Sequence, residues 1–282
     1  MERRNDLSDQ DIVALCADPV SSMRCGQSVI RVSADLAVKY GSHLTETEAD
    51  NQRQAYALLD QNIVRVPRVE RFFRHEDVGY LVMEYIEGEV LQALDGVHYN
   101  KIAEILSHFQ TIRRSTPGNL CGKGDLYWCP FPEEGVVLDG ADQIETWLNR
   151  RRLSKGKPIQ LTNLVFTHRD LAPRNIIWKD GKPTLIDWFT AGFFPASFEV
   201  CSQRAGKDVD FNKRIEQIIS SISCVDQLEV ETLLLISFNC LRYSLYVLST
   251  LPSTLTNNIL AGHNPRISQL GQRATVSPYR KK

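Results

Sequence analysis

The chain has 282 residues, 43% hydrophobic and 24% charged, which is the composition of an ordinary globular protein of one large or two small domains. The net charge of −1 argues against a protein built mainly to bind nucleic acid. A polar start at residues 1–10, interrupted apolar stretches and seven cysteines without a two-residue spacing predict a cytoplasmic protein with reduced thiols and no membrane span.

The first third of the chain has the pattern of a small β-sheet with one helix. The predicted elements are strands at residues 28–33 and 35–40, a helix at 45–60, and strands at 68–74 and 80–85. The tight connection at Ala34 predicts that the first two strands form a hairpin. Thr45 precedes the helix as a capping residue does, and Pro67 disfavours its continuation.

The chain beyond Gly88 is mainly helical. The predicted elements are helices at 99–114, 141–152, 211–221 and 227–250, a long ordered loop at 116–136, and a compact group of short strands and turns at 164–188. The tail from Ser253 onward is polar and is expected to be loosely ordered. Together, the two patterns predict an α+β fold with a β-rich first part and a larger helical second part.

One segment of the strand-and-turn region carries a specific motif. The segment HRDLAPRN at residues 168–175 matches the pattern H-R-D-L-x-x-x-N, which is the catalytic loop of kinases. In that pattern Asp170 would orient an acceptor hydroxyl and take its proton, and Asn175 would turn back to ligate Mg²⁺. The fixed spacing lets one loop aim both groups at one phosphate. The competing interpretation is a chance match in an ordinary loop.

A second carboxylate follows shortly after this loop. A turn at Asp180-Gly181 is followed by an apolar run that delivers Asp187 just before Trp188. This order predicts that Asp187 lies at the end of a hairpin near Asn175, where it would be the main protein ligand of Mg²⁺ on ATP. The alternative is a structural aspartate in front of a buried tryptophan.

Two residues of the first third complete the set that phosphoryl transfer requires. Lys39 lies in an apolar strand, which would present one positive charge to the α- and β-phosphates of ATP. Glu48, in the following helix, would pair with Lys39 and fix its position, and Glu46 is a rival for this role. The alternatives are a strand lysine that reaches solvent and a solvated carboxylate near a helix N-terminus.

The strand at 80–85 ends close to Gly88 and would connect two lobes. Backbone N–H and C=O groups between Glu84 and Ile86 would then bind the adenine edge of ATP. The competing interpretation is a central strand followed by a turn, and the two interpretations are compatible.

The segment that would cover the phosphates is poor in glycine. Protein kinases use a G-x-G-x-x-G loop for this purpose, whereas the region before Lys39 contains only Gly26. Phosphate cover is therefore expected from a short turn around residues 22–27, with fewer backbone donors made available by glycine.

With these residues, the chain resembles the aminoglycoside phosphotransferase and choline kinase-like family, in particular its fungal members of unassigned substrate. The resemblance extends from about residue 31 to about residue 199 and rests on VKYG at 38–41, VPRV at 66–69, LVMEYIEG at 81–88, THRDLAPRN at 167–175 and IDW at 186–188. It implies a two-lobed protein kinase-like fold, with residues 1–85 as the N-terminal lobe and 86–282 as the C-terminal lobe. It also implies ATP and Mg²⁺ in the cleft and transfer of the γ-phosphate to a small-molecule hydroxyl.

The sequence departs from the family at two points. The family often has glycine where this chain has Arg169, and an arginine there is typical of protein kinases, in which it commonly pairs with a phosphorylated activation loop. Beyond Glu199 the chain has six acidic and ten basic residues, whereas a polycationic aminoglycoside would prefer a surplus of carboxylates. The family name therefore does not identify the acceptor.

Three functions follow from these observations: a small-molecule kinase, a protein Ser/Thr kinase-like enzyme, which Arg169 suggests, and an inactive nucleotide-binding protein, which the missing glycines suggest. The short segment 188–199 does not resemble an activation loop, because Thr190 and Ser197 are its only hydroxyls. The intact Asp170 opposes the third function, since a binding protein does not need it. The oligomeric state is left open. Tyr127, Trp128 and Phe131 of the long loop are candidates to line the acceptor pocket, and the alternative is that they pack against the core, as aromatic loop residues do more often.

Overall fold

The computed structural model describes residues 7–17, 27–132, 135–152 and 156–250. The α-helices are α1 (Asp9–Cys16), α2 (Glu46–Leu58), α3 (Gly96–Thr111), α4 (Gly140–Arg151), α5 (Ala196–Ala205), α6 (Val209–Ile222) and α7 (Gln227–Thr250). The β-strands are β1 (Gln27–Arg31), β2 (Leu36–Gly41), β3 (Val69–His75), β4 (Val78–Glu84), β5 (Gly118–Asn119), β6 (Val165–Thr167), β7 (Ile176–Lys179), β8 (Lys182–Leu185) and β9 (Gly192–Phe194). This is the predicted α+β architecture, an antiparallel sheet followed by a helical part.

The N-terminal lobe is built on a four-stranded antiparallel sheet in the order β1-β2-β4-β3. Strands β1 and β2 form the predicted hairpin, in which Val29 is paired with Lys39. Strand β4 pairs with the other edge of β2 and places Leu81 opposite Lys39. Because β2 has a neighbour on each side, Lys39 is held in the middle of the sheet and is only 8% exposed. The four predicted strands are confirmed, with ends shifted by one or two residues.

Helix α2 directs buried polar side chains toward the rest of the molecule. Gln52 Nε2 donates to the carbonyl of Pro67 at 2.7 Å, and Asn51 Nδ2 donates to the carbonyl of Trp188 at 3.2 Å. These bonds satisfy the buried amides and tie the helix to the segment after β8. The helix begins after Thr45, as predicted, but the Thr45 side chain makes no capping hydrogen bond.

A large hydrophobic core lies among helices α3 to α7, and its centre is aromatic. The ring of Phe166, on β6, lies 4.6 Å from that of Phe109, on α3, and 6.0 Å from that of Trp188. Strand β6 pairs with β9, and β7 pairs with β8, so the loop after β6 and the end of β8 both emerge from this core. The same core includes Leu59 and Val66, which precede the predicted lobe boundary at 85–86, and that boundary stays a prediction.

Two helices were not predicted from the sequence, α1 and α5. Helix α1 starts with a capping box, in which the Ser8 and Asp11 side chains bond to each other's backbone N–H, and this spacing is a readable signal. Helix α5 is buried on nearly all sides, with Phe198 and Glu199 both inside. It therefore lacks the one-sided apolar period of an amphipathic helix. The predicted helices after Gly88 are confirmed as α3, α4, α6 and α7.

Some predicted segments lie outside the described residues, namely the tail from Ser253 and positions 22–26 of the phosphate-covering turn. The predicted loop at 116–136 contains the two-residue strand β5, and its positions 133–134 also lie outside the described residues. Among the helices of the described ranges, none combines the length and apolar character needed to cross a membrane.

The aromatic centre gives a prediction for stability. Replacing Phe166 with alanine is expected to lower the free energy of unfolding by about 3–5 kcal/mol, because the side chain is 1% exposed and the cavity cannot fully collapse. Val97→Ala serves as the control, since Val97 is 68% exposed and its truncation is expected to change stability by about 0.5 kcal/mol or less. Urea unfolding of the three proteins checks this, and equal midpoints would contradict it.

Candidate active site

The predicted catalytic loop follows β6 and closes with a 3₁₀ turn at Pro173–Asn175. The side-chain nitrogen of Asn175 donates to the backbone carbonyl of Asp170 at 2.8 Å and to Oδ2 of the same residue at 3.0 Å. The turn thus holds the Asp170 carboxylate from one side, and the Asp170 side chain remains 23% exposed. The loop brings together the two groups that the motif predicts.

Arg174, which the sequence reasoning did not include in the site, binds the other oxygen of the same carboxylate. Its Nη2 donates to Asp170 Oδ1 at 2.5 Å, and its Nη1 lies 3.6 Å from Asp208 Oδ2. Burial raises the pKa of Asp170 above its ordinary value, and the charge of Arg174 opposes this rise without cancelling it. The spacing of four residues between Asp170 and Arg174 is a signal that could have identified the pair.

Side chains of helix α5 hold the backbone of the catalytic loop in place. Glu199 Oε2 accepts hydrogen bonds from the backbone N–H of His168 at 2.7 Å and of Arg169 at 2.9 Å. Gln203 Nε2 donates to the carbonyl of Leu171 at 3.1 Å. Because these groups are buried, the bonds fix the backbone on which Asp170 stands.

Arg169 lies in the core and does not face solvent. Its φ of 62° is in the left-handed region, which accounts physically for the glycine that the family often has here. Its Nε donates to the carbonyl of Thr190 at 2.8 Å, its Nη2 donates to the carbonyl of Tyr127 at 2.6 Å, and the guanidinium lies 4.5 Å over the ring of Phe194. Burial lowers the pKa of Arg169 to about 10. The side chain is fully buried and is therefore not placed to bind a phosphorylated activation loop.

Lys39, Glu48 and Asp187 meet between the sheet and the helical part. Lys39 Nζ lies 2.5 Å from Glu48 Oε1 and 3.3 Å from Asp187 Oδ1. Glu48 is buried whereas its rival Glu46 is exposed, so the structure favours the predicted partner. Burial acts to lower the pKa of Lys39, but the charges of Asp187 and Glu48 outweigh it and raise this pKa. Burial acts to raise the pKa of Asp187, and chiefly the charge of Lys39 brings it below its ordinary value.

The hairpin of β7 and β8 brings Asp187 to the catalytic loop. Ile176 is paired with Leu185, and the backbone N–H of Ile186 donates to the carbonyl of Asn175 at 3.1 Å. Asp187 itself has a φ of 68°, a left-handed conformation that is uncommon outside glycine. Asn175 and Asp187 therefore stand at the same end of the hairpin, as predicted.

Asn175 and Asp187 are the candidate ligands for a divalent cation. The nitrogen of the Asn175 amide is bound to Asp170, so its oxygen is the atom that could serve as a ligand together with the Asp187 carboxylate. Across the described ranges, no group of three or more His, Cys, Asp and Glu side chains forms a closed metal site. Two oxygen donors suit Mg²⁺, which commonly takes its other ligands from phosphates and water.

Some of the backbone groups after β4 that were predicted to bind adenine are already hydrogen-bonded within the protein. The N–H of Glu84 donates to the carbonyl of Arg68, and that of Tyr85 donates to the carbonyl of Asp35, both at 2.8 Å. Within the described part of the chain, the N–H of Ile86 makes no backbone hydrogen bond. Of the three residues Glu84 to Ile86, Ile86 is therefore the one whose N–H could donate to adenine.

A small pocket of about 70 Å³ opens beside Asp170. Its walls come from the long loop, the catalytic loop and the region from α5 to α6, and include Trp128, Leu171, Arg174, Gln203, Lys207 and Asp208. Of the three predicted aromatic residues, only Trp128 lines it. Phe131 is instead buried in the core, and Tyr127 packs against Phe189 with ring centroids 4.5 Å apart. For these two rings the alternative holds, since both pack against other aromatic side chains.

Comparison with solved structures finds proteins similar to this chain. The apo form of a thermostable mutant of aminoglycoside phosphotransferase APH(4)-Ia is 15% identical, with 79% of this chain and 85% of that chain covered and a TM-score of 0.53. The streptomycin-ATP-APH(2″)-IIa ternary complex is 13% identical, with 96% and 97% covered and a TM-score of 0.48. The first of these supports the kinase-like fold.

The family assignment comes from the sequence. No curated protein matches the chain. The family model described as "Phosphotransferase enzyme family" matches residues 27–204, a span that includes Lys39, Asp170 and Asp187 and well over half of the 282 residues. The chain belongs to the phosphotransferase enzyme family and is a kinase.

Proposed function

We propose that the protein transfers the γ-phosphate of Mg²⁺-bound ATP to a hydroxyl group of a small molecule. The observation that carries this proposal is the meeting of Lys39 with Asp187, at 3.3 Å, across 148 residues of sequence. A buried lysine between two carboxylates, beside a loop that presents a third carboxylate, matches the needs of phosphoryl transfer and has no simple structural explanation.

Lys39 would bind the α- and β-phosphates, and Glu48 holds its ammonium group in place. The pair is buried, so the positive charge is felt more strongly by a bound phosphate than it would be in water. The N–H of Ile86 and the carbonyl of Glu84 would bind the adenine edge. Positions 22–27 would cover the phosphates.

Asn175 and Asp187 would hold Mg²⁺, which when bound neutralises charge on the β- and γ-phosphates. The Asp187 carboxylate is kept ionised by Lys39, because the neighbouring charge lowers its pKa. An ionised carboxylate is the form that binds a hard cation.

Asp170 would orient the acceptor hydroxyl and receive its proton late in the transfer. Arg174 and Asn175 each hold one oxygen of this carboxylate, at 2.5 and 3.0 Å. The acceptor hydroxyl therefore has to share or displace the contact of Arg174. We therefore propose that the acceptor binds in the pocket beside Asp170, which Trp128 and Asp208 also line.

The pocket does not favour a polycation as the acceptor. Its two carboxylates, of Asp170 and Asp208, are matched by the cations of Arg174 and Lys207. We therefore propose a small, weakly charged alcohol, in keeping with the motif resemblance to fungal members of unassigned substrate. The protein-kinase alternative loses its main support, because Arg169 is buried among backbone carbonyls.

Calorimetric titration tests the nucleotide half of the proposal. ATP with Mg²⁺ is expected to bind the wild-type protein and to bind Lys39→Met at least ten-fold more weakly, since one buried charge partner is worth more than 1.4 kcal/mol. Lys101→Met is the control, because Lys101 pairs only with exposed Glu104 on α3. Equal affinities of wild type and Lys39→Met would remove Lys39 from the site.

A change at Glu48 tests how Lys39 is positioned. Glu48→Gln is expected to lower the rate of ATP turnover about ten-fold, because the 2.5 Å ion pair is replaced by a weaker neutral contact. Glu46→Gln is the matched control on the same helix, since Glu46 is exposed. A coupled assay of ADP release compares the two variants. Equal losses of ATP turnover in both would contradict the assignment of Glu48 as the partner that positions Lys39.

A further inference from the structure

Two cysteines that phosphoryl transfer does not use lie against each other next to the catalytic loop. The Sγ atoms of Cys129 and Cys201 are 3.0 Å apart, and both side chains are buried. A disulfide bond is about 2.05 Å long, so the two sulfurs need to approach by about 1 Å to form one. The cysteines are 72 residues apart in the sequence, which hides the pair from any analysis of spacing.

We propose that Cys129 and Cys201 are an oxidation site, at which a disulfide bond forms and fixes two walls of the acceptor pocket to each other. Side chains of each segment already contact the backbone of the other. Ser202 Oγ donates to the carbonyl of Cys129 at 3.4 Å, and Cys129 Sγ lies 3.7 Å from the carbonyl of Cys201. The bond would therefore join two segments that are already packed together.

Hydrogen bonding, burial and one positive charge act on the two thiols. The hydrogen bond from Cys201 lowers the pKa of Cys129, burial raises the pKa of Cys201, and the charge of buried Arg169 acts to lower both. Either sulfur can donate the hydrogen bond that they share, so either can be the thiolate that attacks an oxidant.

Hydrogen peroxide would serve as the oxidant, and the reaction balances. The thiolate of one cysteine attacks one oxygen of hydrogen peroxide, the O–O bond breaks, and the hydroxide that leaves takes a proton and becomes water. The sulfur of the other cysteine then attacks the sulfenic sulfur, the S–O bond breaks, and a second water leaves with the remaining thiol proton. Two thiols are oxidised and one peroxide is reduced.

The position of the pair explains why its oxidation would matter. Trp128, next to Cys129, and Ser202 and Gln203, next to Cys201, all line the pocket. A covalent link between the two cysteines would stop these residues from moving apart, so the pocket of about 70 Å³ could not widen around an acceptor. The nucleotide side, at Lys39, is not part of this link. The consequence for activity rests on the proposed function, whereas formation of the bond does not.

The test oxidises the full-length protein with hydrogen peroxide, blocks the remaining thiols by alkylation, and maps peptides without reduction. We expect a linked peptide pair that contains Cys129 and Cys201 and has lost two hydrogens. The melting temperature is expected to rise by about 5–10 °C, because the link closes a long loop in the unfolded chain. Dithiothreitol is expected to reverse both changes.

Variants keep the outcome unambiguous. Cys129→Ala and Cys201→Ala are each expected to lose the linked peptide and the peroxide-induced rise in melting temperature, whereas Cys121→Ser is expected to keep both. The use of two variants guards against misfolding of either. Individually alkylated Cys129 and Cys201 peptides after peroxide, or a rise that persists in both alanine variants, would overturn the proposal.

Measurements of phosphate transfer in oxidised and reduced protein test the effect of the disulfide separately from the proposed function. In the oxidised protein we expect Mg²⁺-ATP to bind as before and phosphate transfer to added alcohols to fall at least five-fold, with recovery on reduction. Absence of transfer in the reduced protein would count against the proposed function, and the peptide map would still decide whether the bond forms. A linked pair without any change in transfer would reject the effect on the pocket.

Discussion

Replacement of Asp187 by asparagine is expected to lower phosphoryl transfer by about 10³-fold or more. Neutralising charge on the transferred phosphate through a metal ion is worth several kcal/mol, and each 1.4 kcal/mol corresponds to a factor of ten in rate. Asp187 lies 3.3 Å from Lys39, at the end of the β7–β8 hairpin. Asparagine keeps the shape of the side chain and tolerates the left-handed φ of 68°.

The control for this variant is Asp180→Asn. Asp180 also has a left-handed φ, of 49°, but lies exposed in the turn between β7 and β8. Its replacement is expected to leave both stability and transfer close to wild type. Transfer measured at several Mg²⁺ concentrations should show that Asp187→Asn cannot be rescued by metal. A loss of similar size in both variants would indicate damage to the hairpin and not loss of a metal ligand.

Asp170→Asn is expected to lower transfer by about 10²–10⁴-fold while Mg²⁺-ATP affinity stays nearly unchanged. The range is that of a general base, which is the role proposed for Asp170 toward the acceptor. Asparagine can still accept the hydrogen bond from Arg174, but its amide nitrogen cannot accept the bond that Asn175 now donates to Asp170 Oδ2. Asn175 keeps its bond to the backbone carbonyl at position 170, so the loop is expected to keep its conformation. The separation of binding from transfer distinguishes an enzyme from an inactive nucleotide-binding protein.

Asp208→Asn provides the comparison for this second variant. Asp208 lies 3.6 Å from the same guanidinium of Arg174 but does not contact the Asp170 carboxylate. Its replacement is expected to lower transfer by less than about ten-fold, since an exposed ion pair contributes little. Steady-state rates measured over a series of ATP concentrations give the rate of transfer and the apparent affinity for Mg²⁺-ATP. If Asp170→Asn retained full transfer, the base would have to be sought elsewhere.

The parts of the site that the sequence predicts are those that local pattern determines. The 168–175 segment carries its own spacing, and the strand of Lys39 alternates apolar and polar side chains, so both could be assigned without tertiary information. The pairing of Lys39 with Asp187 spans 148 residues. This contact was not predicted; the sequence analysis assigned both residues to one site only through their roles in one reaction.

Other features depend on tertiary packing and escaped prediction for that reason. Arg169 belongs to a motif but is buried, because carbonyls of Tyr127 and Thr190 receive its donors. Phe131 was a candidate for the pocket, but the aromatic core holds it. Helix α5 has no one-sided apolar face, although its Glu199 fixes the catalytic loop. Such contacts join segments that are distant in sequence, so the local pattern of apolar and polar residues does not predict them.

Transfer of label from [γ-³²P]ATP to small alcohols tests directly whether the protein phosphorylates a small-molecule hydroxyl. The protein is incubated with Mg²⁺ and a panel of sugar alcohols, amino alcohols, hydroxy acids, nucleosides and aromatic alcohols. We predict a labelled phosphate monoester with at least one member of the panel, formed by wild-type protein and not by Asp170→Asn. A folded sample that binds Mg²⁺-ATP but labels no alcohol, or labels a protein substrate instead, would contradict it.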